Sequence, residues 1–214
     1  MSNELEFCVD EALAHLSKAD AVLRDLIARV ERFDWRRRSE DPYQALLRTI
    51  LFQQLAGAAA NAIQRRFHAL YGDQPPAPPQ LLATTDEDLR AAGISRQKTG
   101  YMRDLALHAS DGSFDFAALA SLPDQEVIDR LVAVKGIGEW SAHMFLIFQL
   151  GRPDVLPTGD LGVRNGMKIA YGLAETPTPR RALEIGAPWA PFRSVGSWYM
   201  WRAVIAGGAT APEI

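Results

Sequence analysis

Residues 131–142 read Leu-Val-Ala-Val-Lys-Gly-Ile-Gly-Glu-Trp-Ser-Ala. One apolar helical pattern ends, two glycines follow two positions apart, and a second helical pattern begins. Gly136 and Gly138 permit backbone conformations and close approaches barred to other residues. Amides exposed at the start of the second helix can point at an anion such as a phosphate. A tight helix–turn–helix joint without a ligand explains the Gly-x-Gly pair equally well. Further along, Pro153-Asp-Val-Leu-Pro-Thr-Gly-Asp160 leads into Leu-Gly-Val-Arg-Asn-Gly. An aspartate after glycine at a helix start is an ordinary N-cap, and the positive end of the helix dipole favours a negative charge there. A carboxylate so held can stabilise a developing positive charge or orient and deprotonate a water.

Other chemistries find little support. His15, His68, His108 and His143 are scattered, with neither HExxH nor paired spacing, so a catalytic zinc is not expected. No GxxxxGK[ST] loop is present for nucleotide hydrolysis. The single cysteine, Cys8, excludes an intramolecular disulfide, a Cys-ligated iron–sulfur cluster and a Cys-based zinc site, and it suits a reducing cytosol. The 214 residues, 48% hydrophobic and 23% charged, describe a globular protein of one large domain or two small lobes. No apolar run reaches the roughly 18 residues that a membrane span needs. The acidic, amphipathic start MSNELEFCVDEALAHL does not read as a secretory signal. The net charge of −3 argues against a nucleic-acid binder, but its distribution softens this. Residues 1–130 carry 15 basic and 20 acidic side chains, whereas residues 131–214 carry eight and six.

The elements that must position these residues are helical. Val22, Leu23, Leu26, Ile27 and Val30 recur at helix spacing and predict a helix over about 20–31. Tyr43, Leu46, Leu47, Ile50 and Leu51 repeat the pattern behind Asp41-Pro42, an N-cap and N1 pair. The Ala-rich segment Ala56 to Tyr71 should end at Gly72, and Asp73 to Pro79, with four prolines, reads as a loop. Thr85-x-x-Asp88 resembles a capping box for a helix stopping near Gly93. Ser95 would cap a helix to about Ala109, and Pro123-Asp124 would open one to about Ala133. Strand signals are weak, so the chain is expected to be all-α, with about ten or more helices. The proline loop and the charge shift point to two helical lobes. Residues 36–155 would form a central lobe. Residues 1–35 and the C-terminal helices of 156–214 would form the other.

The hairpin string, the apolar helix Ser141–Leu150 and the loop ending at Asp160 resemble, in order and spacing, the helix–hairpin–helix (HhH-GPD) DNA glycosylase superfamily. Ile50-Leu-Phe-Gln-Gln-Leu55, Leu89-Arg-Ala-Ala-Gly-Ile-Ser-Arg-Gln-Lys98 and Trp189-Ala-Pro-Phe-Arg-Ser194 also look like family segments. The resemblance spans about residues 20–205 and is to the bacterial 3-methyladenine DNA glycosylase II group in particular. That group carries an N-terminal α/β domain where this sequence has a short helical segment, about residues 4–35, so a reduced form is expected.

The resemblance implies a helix–hairpin–helix over about 124–150 and a DNA- and base-binding cleft between the lobes. It implies a monofunctional glycosylase that flips an alkylated purine out of duplex DNA and hydrolyses its N-glycosidic bond, leaving an abasic site. Asp160 would be the catalytic carboxylate. Trp140 stands where bifunctional relatives place a Schiff-base lysine, so no lyase activity is expected. Trp140, Met144 and Trp201 would line the base pocket, stacking an electron-poor base. Met144 departs from an aromatic in the family, and Gly159 from an acidic residue, which leaves the substrate range open. Gln53, Gln54 and Leu55 would form the wedge that fills the gap, with Gln54 or Leu55 at its tip. Lys135, Gly136, Ile137 and Gly138 would meet DNA phosphates. The carbonyls of Val132, Val134 and Ile137 are the candidate ligands of a structural Na+ or K+, and no other cofactor is required. Arg36-Arg37-Arg38, Arg65-Arg66 and Arg180-Arg181 are solvated faces or DNA contacts. A cytoplasmic monomer acting on double-stranded DNA is expected. The alternatives are a non-catalytic helix–hairpin–helix DNA-binding protein and a glycosylase for oxidised or mismatched bases.

Overall fold

The computed structural model describes residues 5, 7–34, 40–55, 57–111, 114–116 and 118–207. Among these residues there are twelve α-helices and no strand. The all-α expectation therefore holds. Arg36, Arg37 and Arg38 lie outside the described residues. The chain divides into two compact units, one of residues 1–39 with 146–214 and one of residues 40–145.

In the discontinuous unit, α1 (Val9–Ala19) and α2 (Ala21–Arg29) join the C-terminal helices α10 (Leu161–Ala170), α11 (Pro179–Gly186) and α12 (Arg193–Ala206). Asp20 breaks the first two apart. Its carboxylate accepts the amides of Val22 and Leu23 at 2.9 and 3.2 Å, capping α2, and also accepts the Trp189 indole N–H at 3.0 Å and the Tyr171 hydroxyl. Helix α12 buries ten residues around nearly its whole circumference, including Trp198, Tyr199, Met200 and Trp201. A helix apolar on all sides belongs in the centre of a core. Gly166 on α10 permits the closest approach to it. A Cβ there would stand 2.1 Å from the Met200 carbonyl oxygen, so only glycine lets the two backbones meet.

The continuous unit contains α3 (Pro42–Phe52), α4 (Gly57–Ala69), α5 (Pro78–Ala83), α6 (Asp86–Ala91), α7 (Arg96–Ser110), α8 (Asp124–Val132) and α9 (Glu139–Met144). The caps read from sequence are made. Asp41 accepts from Tyr43 and Gln44, Thr85 from Asp88, and Ser95 from Lys98. Gly72 and Gly93 take positive φ after α4 and α6. Two details differ from expectation. The loop after Gly72 ends earlier, because Pro78 and Pro79 open α5. The first helical amides have no partner in any case, so proline is tolerated there. The expected apolar helix Ser141–Leu150 is α9 followed by a π-helical turn, Phe145–Gln149. An unbroken apolar run does not distinguish i→i+4 from i→i+5 bonding.

Candidate active site

Asp160 is the N-cap of α10 and is only 4% exposed. The Pro153–Asp160 loop delivers it there. The loop is anchored by Ser194, whose hydroxyl donates to the Arg152 carbonyl at 2.7 Å and accepts the Val155 amide at 2.9 Å. A second anchor is the Arg193–Asp154 pair, with guanidinium nitrogens 2.7 and 2.9 Å from the two carboxylate oxygens. Asp160 Oδ1 accepts the Val163 amide at 2.7 Å and the Trp201 indole N–H at 3.0 Å. Both contacts are donors to one carboxylate oxygen at a helix start, an environment suited to negative charge. Trp201, itself 4% exposed, also stacks on Phe148, with ring centroids 5.7 Å apart and planes inclined by 27°. Gly162 completes the site. A Cβ on it would lie 3.0 Å from both Asp160 Oδ1 and Trp201 Cδ1, so a side chain would press on the hydrogen bond.

The hairpin belongs to the other unit and joins α8 to α9. Gly136 takes φ +84°, and a Cβ on it would fall 2.3 Å from the Tyr101 ring. Glycine is thus required twice over, by conformation and by space. Gly138 differs: its φ is −99° and a Cβ there would meet nothing within 4 Å, so the fold itself leaves that side open. The Lys135 amide donates to Asp104 Oδ2 at 2.9 Å, and its ammonium stands 3.0 Å from Asp104 Oδ1. Burial would raise the Asp104 carboxyl, but Lys135, through both contacts, brings it below its usual value. Ile137 is buried beneath the turn, and its amide donates to the Val134 carbonyl at 3.1 Å, while Val132 is exposed.

Trp140 and Met144 share α9, but Met144 is buried and Trp140 is 42% exposed. Beside them His143 faces Glu139 at 3.9 Å, and burial lowers its pKa from the ordinary 6.5 against the raising effect of Glu139. Of the residues expected to form the wedge, Gln53 closes α3 as its C-cap, Gln54 adopts φ +58°, and both Gln54 and Leu55 are exposed. The structure thus brings Asp160 together with Trp201, and Gln53 together with the hairpin, whose Gly136 carbonyl accepts the Gln53 side-chain amide at 2.8 Å.

Residues that sequence reasoning did not single out also take part. Phe148 backs Trp201. Lys98, Tyr101 and Asp104, three residues apart along one face of α7, contact the turn that ends α3 and the hairpin. That spacing is a visible signal, but its partners lie elsewhere in the chain. Arg66 donates to the Ala92 carbonyl, and Arg181 pairs with Glu184. No group of three or more His, Cys, Asp or Glu side chains suited to a metal occurs among the described residues.

An all-helical chain with a Gly-x-Gly hairpin, followed by a loop that seats an aspartate at a helix start, has the features of a helix–hairpin–helix base-excision repair protein. The chain belongs to that class: residues 47–191 match the HhH-GPD superfamily base excision DNA repair protein family. DNA-3-methyladenine glycosylase 1 of Schizosaccharomyces pombe is 34% identical over 213 residues, 98% of this chain and 93% of that one. The structure of the S. pombe 3-methyladenine DNA glycosylase in complex with abasic DNA matches with a TM-score of 0.77 at 32% identity, over 94% of this chain and 99% of the other. A DNA-3-methyladenine glycosidase from Bacillus halodurans matches with a TM-score of 0.83 at 35% identity, over 95% and 93%.

Proposed function

We propose that this protein is a monofunctional DNA glycosylase that hydrolyses the N-glycosidic bond of an alkylated purine, of the 3-methyladenine type, in duplex DNA. The observation that carries this is Asp160, a buried carboxylate held by a helix start and an indole N–H within the family's motif. An alkylated purine is already cationic and leaves readily. The sugar left behind is oxocarbenium-like, and a fixed negative charge beside it lowers the barrier. Asp160 stabilises that charge and orients the attacking water, whose proton it accepts. The products are the free base and an abasic site.

Trp140 cannot form a Schiff base, so water takes the place of the departing base at the sugar carbon and the strand stays intact. Lys135, the nearest candidate nucleophile on the hairpin, is engaged by Asp104. The exposed face of Trp140 offers a flipped base a π-surface, and Met144 on the same helix and Trp201 beside Asp160 are the other residues we assign to base binding. The amides of Gly136 and Gly138, on either side of Ile137, receive a DNA phosphate, with Lys135 beside them, and the open space at Gly138 suits close approach of a backbone. The carbonyls of Val132, Val134 and Ile137 would hold a monovalent cation, which would supply positive charge for an anion at the hairpin. We place the protein with DNA in the cytoplasm, as a monomer. No helix among the described residues is long and apolar enough to cross a membrane.

The test is base release from duplex DNA carrying one alkylated adenine, comparing wild type with Asp160→Asn and scoring strand cleavage with and without hot alkali. Cleavage only after alkali, lost in the variant, is expected. Cleavage without alkali would refute the monofunctional reading. Full activity in Asp160→Asn would remove Asp160 from the chemistry.

A further inference from the structure

Two long-range contacts converge on the turn that ends α3. The Lys98 ammonium donates to the carbonyls of Leu51 and Gln53 at 2.6 and 2.8 Å. The Gln53 side chain donates to the Gly136 carbonyl, 83 residues away, at 2.8 Å. Beyond them Gln54 is held at φ +58°, a conformation non-glycine residues seldom adopt, with the Leu55 amide closing the turn onto the Phe52 carbonyl at 3.2 Å. Such strain persists only where the surroundings over-determine it. The surroundings here are α7, whose Lys98 grips the turn and whose Tyr101 ring lies under Gly136.

Building on the DNA-glycosylase reading, we propose that Lys98 and Gln53 are positioning residues that lock the Gln54–Leu55 turn to the hairpin. Phosphate grip and insertion of the turn into the base stack are thereby coupled in one rigid element. Gln53 acts through its amide on the hairpin carbonyl and does not itself enter the stack. Lys98 acts through the last carbonyls of α3, which have no partner within the helix. Part of its burial is reflected in a pKa lowered from the usual lysine value by desolvation. A lysine that served only to be soluble would not be directed at two carbonyls of a turn 45 residues away.

The probe is a duplex containing a tetrahydrofuran abasic site opposite 2-aminopurine, beside the same duplex undamaged. Two readouts are taken at fixed salt: the preference for the gapped over the undamaged duplex, and the 2-aminopurine fluorescence change at saturation. Lys98→Met and Gln53→Glu are expected to lower the preference by about tenfold, the scale of one or two lost hydrogen bonds, and to abolish most of the fluorescence change. Lys98→Arg, which keeps a cationic donor, should restore both at least in part. Preference and fluorescence unchanged in Lys98→Met and Gln53→Glu would overturn the proposal. So would a loss in Lys98→Met that tracks a fall in thermal midpoint and is not rescued by arginine. Because the probe contains no base to release, these outcomes are separate from the glycosylase test. A wild type with the wedge signal but no base release would refute only the catalytic reading. A wild type without preference for the gapped duplex would refute the wedge proposal.

Discussion

The Trp201 indole N–H donates to Asp160 Oδ1 at 3.0 Å, and the same oxygen accepts the Val163 amide at 2.7 Å. Trp201 therefore has a polar task at the carboxylate in addition to its ring surface, one face of which is occupied by Phe148. Trp201→Phe keeps an aromatic ring and removes the donor. A hydrogen bond to a charged group contributes about 1.5–3 kcal/mol. The rate of base release should fall by about ten- to a hundredfold, more in kcat than in KM. An equal loss confined to KM would assign Trp201 to base binding alone.

Gly166 is required by contact with another backbone. A Cβ would sit 2.1 Å from the Met200 oxygen, and neither helix can yield without unpacking α12. Gly166→Ala should destabilise the protein by about 3 kcal/mol, lowering the thermal midpoint by about 6–12 °C. Gly159→Ala, with nothing within 4 Å of the added carbon, is the control and should change the midpoint by less than a third of that.

Asp20 ties the N-terminal helices to the C-terminal ones through Trp189 and Tyr171 while capping α2. The Tyr171 hydroxyl is pushed well above its ordinary pKa by burial and by this carboxylate. Asp20→Ala removes the cap and leaves the donors of the buried Trp189 and the half-buried Tyr171 without this acceptor. The expected loss is about 3 kcal/mol in denaturant-unfolding free energy. Asp20→Asn, which can still accept at its amide oxygen, should lose less.

Acidification should weaken the fold through His143. Burial holds its pKa below 6.5 in the folded state, so the unfolded chain binds the proton first. Its contribution is complete above 6.5 and is lost as pH falls through that value toward the folded pKa. His68, also lowered by burial, acts in the same direction. The thermal midpoint should fall between about pH 7.5 and about pH 5.5, and His143→Gln should reduce that fall. An identical pH dependence in the variant would show that His143 does not contribute.

Much of this protein follows from local rules. The caps at Asp41, Thr85 and Ser95 could be read directly, because a capping side chain reaches only two or three residues along its own chain. Asp160 and the hairpin glycines were equally legible, since an N-cap and a positive-φ turn are properties of a short stretch. Helix periodicity identified which residues face inward, and hence the all-α class. The π-helical turn after α9 was not legible, because the apolar run is the same for either bonding pattern.

What the tertiary structure decided is which residue meets which. Gln53 finds Gly136 across 83 positions, Lys98 finds Leu51 across 47, and Trp201 finds Asp160 across 41. Periodicity specifies a buried face but not the partner that covers it, and a polar side chain on that face can pair with any group that packing brings within about 3 Å. Local signals alone thus give most of the helices, the caps at Asp41, Thr85 and Ser95 and the aspartate at the head of α10. Only the packed chain determined that an indole would hold that aspartate and that a lysine and a glutamine would hold the turn, because those contacts depend on the mutual placement of helices far apart in the chain.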